Sequence, residues 1–505
     1  QAAVLATRRH KGEVEDERFD AAWKAEALAL GWGPDAAETL IAATGPRRVL
    51  LPTEGLWRLP DDAVDIDGTP YLGDRVVEPD VWIATVVRQD LTARDSTFTK
   101  AQLTQAVAAR LGDGATVATV ERVVARAIAS PELIPIAADG PQRWTSKELA
   151  TVERRLLIAL HDGRGTQPAL DTAVADATIE ARPSLGDDQA AAVRSLLGST
   201  DGVSVMVGPA GTGKPFVCDP ARAAYEAAGH RVVGAAPSAR AALELELGAG
   251  IGSMTIHRLV GRWRRGADQP TPDTVLVVDE GGMAGTRDLE AAMSMTLAAG
   301  GRVILAGDPH QLPEVTAGGG LASAVAHAGT VTELTVNRRQ HEAWERQALA
   351  DLRSGHVPAA VAAYRTHGRV VVAEDPAAML ADATSRWIDA HRVGQVPVLL
   401  AGTNDMVDAL NRSVRQALAE RGLLAGEVVA RFGGREFIAG DRVVLRRNSY
   451  NQLDAAGTEA AVLNGQTGTV TGGSDHHLDL ALDNGRGTVR LDDDFHCLKS
   501  LTRNK

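Results

Sequence analysis

The stretch GPAGTGKPF, residues 208–216, holds residue types and a spacing that suit phosphate. Gly208, Gly213 and Lys214 follow the pattern G-x-x-x-x-G-K, with Pro209, Ala210, Gly211 and Thr212 between them. In such a turn glycines let backbone N–H groups converge on an anion, the following helix adds its positive end, and the lysine neutralises charge. The next position of the pattern normally carries Ser or Thr, whose hydroxyl holds Mg²⁺. Here it is Pro215. Proline is tolerated in a first helical turn, so the fold of the loop is expected to survive. A hydroxyl ligand and one N–H aimed at phosphate are lost, an expected weakening of nucleotide binding by about ten- to thousand-fold.

Two further segments supply partners for this loop. VLVVDEGG (275–282) ends an apolar run in Asp279 and Glu280. That order places one carboxylate near a metal and the other where it can polarise a water; by itself it would equally be an acidic turn after a buried strand. RVILAGDPHQLPEV (302–315) sets Gln311 in a loop after another apolar run, suited to sensing a γ-phosphate through its amide. Taken alone, G-D-P-H-Q-L-P is a proline-braced turn. HRLVGRWRRG (257–266) packs four arginines, among them Arg258, Arg262 and Arg264, around Trp263. Such a mixture suits phosphate contact and base stacking, and a solvated basic helix face has the same composition.

The elements that must carry these residues read clearly in the middle of the chain. VSVMVG, RVVGAAP, TVLVVDE and RVILAGD are short β-branched runs separated by helix-like segments from about residue 185 onward. Buried parallel strands look like this, so the fold class expected is α/β with a parallel sheet. RVVVAED and PVLLAG begin a second alternation, followed by the helical TNDMVDALNRSVRQALAERG. Residues 432–491 change to short strands with Gly and Asp turns, a small all-β insert. Residues 96–165 read as helix, helix, two short strands and a third helix capped by Thr145 or Ser146 with Glu148 nearby, a winged-helix-like order. ERFDAAWKAEALALG (17–31) has helical spacing, and TEGLWRLPDD and DIDGTP read as turns.

Bulk properties exclude several classes. The chain has 505 residues, 44% hydrophobic and 23% charged, with a formal charge of −12, so nucleic-acid binding must come from local basic patches on an acidic body. Cys218 and Cys497, the two cysteines, are too far apart in sequence for metal-ligand spacing and fit a reducing compartment. Cys218 reads as a small packed hydrophobe. His476, His477 and His496 lack tetrahedral-ligand spacing and read as surface histidines. No run approaches the length of a membrane span and no secretory signal opens the chain, so a cytoplasmic location is expected.

Taken together, these segments resemble the RecD-like branch of superfamily 1 DNA helicases, in particular the helicase portion of conjugative relaxase-helicases from actinobacterial plasmids. The resemblance runs over nearly the whole chain and is strongest over 185–480. It implies P-loop NTPase, RecA-like motor domains, ATP and Mg²⁺ as cofactors, single-stranded DNA as partner, and a relaxase domain or other conjugation proteins alongside. LGDDQAAAV (185–193) matches the adenine-side element through Gln189. VVGAAPSARAA (232–242), with Ser238, and SMTIHRLV (253–260), with His257 and Arg258, match single-strand-contacting segments. ELTVNRRQ (333–340) implies an arginine finger at Arg339, and GTNDMVDALN (402–411) puts Thr403 and Asn404 at a DNA-facing helix start. In this reading Lys214, Asp279, Glu280, Gln311 and Arg339 are catalytic, and Asp279 is the metal ligand.

The implied organisation is a relaxase tail and linker (1–90), a helical winged-helix-like domain (91–180), a first motor domain (181–344) and the start of a second (345–431). An SH3-like β insert (432–493), similar in GDRVVLRRN and VLNGQTGTV, and a short tail (494–505) follow. ATRRHKGEV near the start resembles the end of a relaxase domain. The family's V-H-K-x-Q-G segment and second arginine motif do not follow the insert, and no histidine cluster with a catalytic tyrosine is present. The expectation is a motor truncated at both ends and impaired at Pro215; the alternative is a non-catalytic single-stranded-DNA-binding remnant or scaffold.

Overall fold

The computed structural model describes residues 57–58, 76–111, 115–137, 140–311, 317–395, 397–424, 428–432, 435–454, 459–483, 487–492, 498–500 and 503–504. The helix expected over 17–31, the turn DIDGTP, the segment 6–14, His496 and Cys497 lie outside these residues. Contacts divide the chain into two compact units, Gln1–Val152 and Glu153–Lys505.

In the first unit, helix Lys100–Leu111 is followed by helix Val117–Ile128, whose cap is Thr116, accepting from the Thr119 amide. Strands Leu133–Ile136 and Arg143–Ser146 then pair antiparallel, and Phe98–Thr99 joins as a third strand against Trp144 and Arg143. Helix Lys147–Asp162, whose residues from Glu153 on belong to the second unit, starts from Ser146, whose hydroxyl accepts from the Leu149 amide at 3.0 Å. The winged-helix-like order is therefore present, with Ser146 rather than Thr145 as the cap. Trp82, Phe98, Leu103, Val123, Leu133 and Trp144 form its core. Trp57, within the segment read as a turn, lies in a two-residue strand pair with Val76–Val77 and meets Trp82 edge-on at 5.2 Å.

The second unit begins with a three-layer sandwich. Its elements are α1 (Asp187–Leu197), β1 (Val203–Val207), α2 (Lys214–Ala227), β2 (Arg231–Ala236), α3 (Ala239–Ala249), β3 (Ser253–Thr255) and α4 (Ile256–Arg264). Next come β4 (Thr274–Val278), α5 (Thr286–Ala298), β5 (Arg302–Gly307), α6 (Gly320–His327) and β6 (Thr330–Glu333). The strands form one sheet in the order β6-β1-β5-β4-β2-β3, and every pairing is parallel. All residues of β1, β4 and β5 are buried, which is why they read as unbroken apolar runs. Leu196, Val217, Tyr225 and Leu245 cover one face from α1, α2 and α3. Leu259, Trp263, Leu289, Met293 and Leu321 cover the other from α4, α5 and α6. Parallel order brings the C-terminal ends of β1, β5 and β4 to one edge, where α/β sheets place ligands.

Helices α7 (Ala343–Arg353), α8 (Val357–Thr366), α9 (Pro376–Arg392) and α10 (Asn404–Glu420) follow, with β7 (Leu400–Ala401) before the last. The second alternation is realised as helices more than as strands. Residues 369–375 form no strand, and of PVLLAG only Leu400–Ala401 pairs, in parallel with Arg503–Asn504. Val372 is 77% exposed. A β-branched run becomes a strand only where a neighbouring backbone offers the ladder, and none does so here among the described residues.

The insert comprises the hairpin β8 (Val428–Phe432) and β9 (Arg435–Ile438) and then β10 (Arg442–Leu445), β11 (Ser449–Asp454), β12 (Glu459–Val462) and β13 (Thr467–Gly473). It continues with β14 (His477–Leu482), β15 (Thr488–Asp492) and β16 (Leu498–Ser500). The last seven form an antiparallel sheet in the order β12-β11-β15-β14-β13-β10-β16. Val443, Leu445, Val470, Leu478, Leu480 and Leu491 fill its core, and β14 alternates half-buried with buried positions as period-two patterning requires.

Candidate nucleotide site and nucleic-acid face

The loop between β1 and α2 is held by its own backbone. Gly208 N–H donates to the Gly307 carbonyl of β5, and the Thr212 amide and hydroxyl both donate to the Pro209 carbonyl. Gly211 and Gly213 take φ of +90° and +84°, conformations that side-chain-bearing residues rarely adopt. Gly213 caps α2, with Lys214 at its first position and Pro215 next. Pro215 packs against α3, where a Cβ on Gly248 would lie 3.0 Å from its Cβ. The helix start therefore forms with proline in place, but without a hydroxyl or N–H at this position. Thr212 does not substitute, being fully buried with its hydroxyl spent on Pro209. Cys218 is buried in the sheet-facing side of α2, and burial pushes its thiol up, so it packs and does not react.

Lys214 is buried, donating to the Gly208 carbonyl at 3.1 Å and lying 3.9 Å from Glu280 Oε2. Asp279 and Glu280 follow β4 directly. Burial first, and then the Glu280 carboxylate, push Asp279 up to about 6, while Lys214 and the Glu280 amide pull the other way. Glu280 has φ +50°, a left-handed backbone that costs a non-glycine residue about 1–3 kcal/mol. Two crowded carboxylates facing one lysine fit a divalent cation. Among the described residues no cluster of three or more His, Cys, Asp or Glu side chains is assembled for a metal. A cation at Asp279 would therefore complete its shell with phosphate oxygens and water, as Mg²⁺ commonly does.

Gln311 sits after β5, its amide donating to the Asp308 carbonyl at 3.2 Å. Asp308 is almost fully buried and is gripped by both Nη atoms of Arg353 from α7, at 2.5 and 2.7 Å. Residues 312–316 of the same motif lie outside the described residues.

Gln189, expected on the adenine side, lies directly against the 208–214 loop. It is 1% exposed; its Oε1 accepts from the Gly186 amide and its Nε2 donates to the Thr212 carbonyl at 2.9 Å. Its amide braces the phosphate loop from behind. Arg339 is exposed beside the loop, its Cβ 2.7 Å from where a Cβ on Gly211 would stand. The neighbouring Arg338, which sequence reasoning passed over, makes the denser set of contacts: its Nη2 donates to Asp188 Oδ1 at 2.5 Å and its N–H to the Gly211 carbonyl at 2.8 Å.

Of the residues expected to face nucleic acid, Ser238 caps α3, accepting from the Ala241 amide, and Thr403 caps α10, accepting from the Met406 amide. Both residues, with Asn404, are exposed. His257, Arg258 and Arg264 are exposed on α4, and Arg262 is paired with Asp268. Trp263 corrects the sequence reading. It is 1% exposed, inside the core beneath the sheet, because α4 turns its apolar stripe inward and leaves His257 and its arginines outside. It cannot stack on a base. The turn containing Gly465 in the β insert approaches α3, a Cβ there lying 3.8 Å from Arg240 Cδ, so the insert stands next to the Ser238 segment.

Comparison with known proteins places this geometry among relatives. Residues 184–375 match the AAA domain family. The conjugal transfer protein TraA of Agrobacterium fabrum is 32% identical over 343 residues, 66% of this chain and 31% of that protein. The ATP-dependent RecD2 DNA helicase of Deinococcus radiodurans is 32% identical over 232 residues, 44% of this chain and 32% of that protein. This chain thus spans about a third of the length of these relatives. A Bacteroides Pif1 helicase crystallised with ADP-AlF3 and single-stranded DNA is 19% identical, with 62% of this chain and 73% of that chain covered at a TM-score of 0.33. Residues 184–375 thus resemble the AAA domain family, and the chain is similar to a RecD2 DNA helicase and to conjugal transfer proteins.

Proposed function

We propose that the chain is the ATP-driven, single-stranded-DNA-translocating motor of a conjugative relaxase-helicase, with its hydrolysis held down by Pro215. One observation carries the reading. The 208–214 loop, Asp279 and Glu280, and the exposed Arg339 converge at one edge of a parallel sheet, with Lys214 3.9 Å from Glu280. The similarity to TraA and to RecD2 supports the motor class, and a relaxase domain or other conjugation proteins are the proposed partners. Among the described residues no helix is long and apolar enough to cross a membrane. The proposed location is cytoplasmic.

When bound, ATP supplies the γ-phosphoryl group and Mg²⁺ neutralises and orients its oxygens. The remaining work falls to the chain. Loop amides and the start of α2 bind the phosphates, and Lys214 balances their charge. Asp279 would hold the cation, and Glu280 would take a proton from the attacking water. Gln311 orients the γ side, and Arg339 stabilises charge developing there. Pro215 removes one metal ligand and one donor from this set, so turnover is slow and unwinding is not processive.

Pro215 also favours a second reading, a module that binds single-stranded DNA without catalysis through Ser238, His257, Arg258, Arg264, Thr403 and Asn404. The two are separated by measuring phosphate release with and without single-stranded DNA, beside DNA binding in the absence of nucleotide. The motor reading predicts slow, DNA-stimulated release that Lys214→Ala abolishes and Pro215→Thr raises at least tenfold. Retained salt-dependent DNA affinity with no release from either the parent or the threonine variant would sink it.

A further inference from the structure

The segment 335–340 is tied to α1 through a single carboxylate and to the 208–214 loop through Arg338. Asp188 Oδ2 accepts from the amides of Thr335 and Val336 at 3.0 and 3.1 Å, and Oδ1 accepts from Arg338 Nη2 at 2.5 Å. Arg338 in turn reaches the loop at two points. Its backbone N–H donates to the Gly211 carbonyl at 2.8 Å, and its Nη1 lies 3.4 Å from the Thr212 carbonyl, the acceptor that Gln189 also uses. The Asp188 side chain is 12% exposed and that of Arg338 31%, so solvent screens this pair only in part. Asp188 sits in the first turn of α1, a helix whose apolar face is anchored in the core by Val193, Leu196 and Leu197. A rigid helix thus holds one end of the clamp and the phosphate loop holds the other.

Between the clamp and the loop stands Arg339. Its own amide donates to Asn337 Oδ1 at 2.9 Å, a tight local turn that aims the residue after Arg338 outward beside Gly211. The next residue, Gln340, donates its amide to the same Asn337 oxygen at 3.2 Å. The backbone on either side of Arg339 is thereby fixed.

We infer that Asp188 and Arg338 are positioning residues: their ion pair fixes the 335–340 segment on the phosphate loop and so sets Arg339 at the γ-phosphate end of the site. The inference rests on the proposed role of Arg339 and goes beyond it by assigning what holds that residue in place. In this assignment Asp188 and Arg338 bond to groups of the chain and not to nucleotide. Their loss should therefore spare recognition of the α- and β-phosphates and weaken recognition of the third.

The test compares the affinity of the whole chain for ADP and for the non-hydrolysable triphosphate AMP-PNP by calorimetry, reading the ratio of the two. Variants are Asp188→Asn, Arg338→Gln, Arg339→Ala and the double Asp188→Asn/Arg339→Ala. Arg338→Gln leaves the bonds from Thr335 and Val336 to Asp188 in place, so it serves if Asp188→Asn does not fold by circular dichroism. The expected result is a triphosphate preference that falls about tenfold in each single variant, with ADP affinity moving less than about twofold and the double variant no worse than Arg339→Ala. A parallel fall for ADP and AMP-PNP would make the clamp a structural brace of the loop and overturn the inference. So would an unchanged preference in Asp188→Asn and Arg338→Gln when Arg339→Ala lowers it, a result that leaves the reading of Arg339 standing. If Arg339→Ala itself changes nothing, the role proposed for Arg339 is wrong and the positioning role falls with it.

Discussion

At the scale of single residues, charge placement separates side chains that shape the site from those that act in it. Burial works against ionisation of Asp188, but Arg338 and the Val336 and Thr335 amides outweigh it and hold the carboxyl down at about 2, against 3.8 when unperturbed. A carboxyl with a depressed folded value contributes stability above its unfolded value, and that contribution is lost as pH falls through the folded value. Urea midpoints of the protein and of Asp188→Asn should therefore differ fully at pH 5, by the equivalent of about 2 kcal/mol, and converge between pH 4 and pH 2. A gap independent of pH would mean that the carboxylate charge is not what the clamp uses. Lys214 and Asp279 were legible in the sequence because spacing fixes where loop and strand-end residues point. Gln189 and Trp263 were not: their types suit ligand contact, and only packing shows that one braces Thr212 and the other fills the core.

At the scale of elements, the loop after β5 is tied to α7 through Arg353 and Asp308. Burial raises the Asp308 carboxyl, but Arg353 and the His310 amide prevail and hold it below its usual value. Removing the arginine strands a carboxylate that is 3% exposed. Arg353→Ala should cost about 3 kcal/mol in chemical denaturation, whereas Asp308→Asn, which removes the charge instead of isolating it, should cost less. Equal costs would show that the hydrogen bonds matter and the charge does not. Three of the four apolar runs of the parallel sheet, β1, β4 and β5, were legible because their strands are buried on both faces, and the fourth, β2, is buried in its second half. Ser253–Thr255 and Thr330–Glu333 were not, being short edge strands only partly buried, without the unbroken hydrophobic run that marks a central strand. RVVVAED failed in the opposite sense: it has strand composition but no partner among the described residues, since pairing depends on distant backbone that local pattern does not encode.

At the scale of the whole molecule, an acidic chain of net charge −12 sets three arginines, Arg258, Arg262 and Arg264, on α4 and places Arg240 of α3 beside the Gly465 turn of the insert. The sheet edge gathers the 208–214 loop, Asp279 and Glu280, all within the segment 184–375 that matches the AAA domain family. The central claim is that the nucleotide cradle is intact while its metal-binding hydroxyl is missing. Calorimetric titration of ATP, in Mg²⁺ and in EDTA, on the protein and on Pro215→Thr tests it most directly. The account predicts measurable but weak binding by the protein that changes less than about threefold between the two conditions, and a gain of about tenfold or more for Pro215→Thr in Mg²⁺ alone. A protein that already binds ATP tightly and as Mg²⁺-dependently as its threonine variant would contradict the claim.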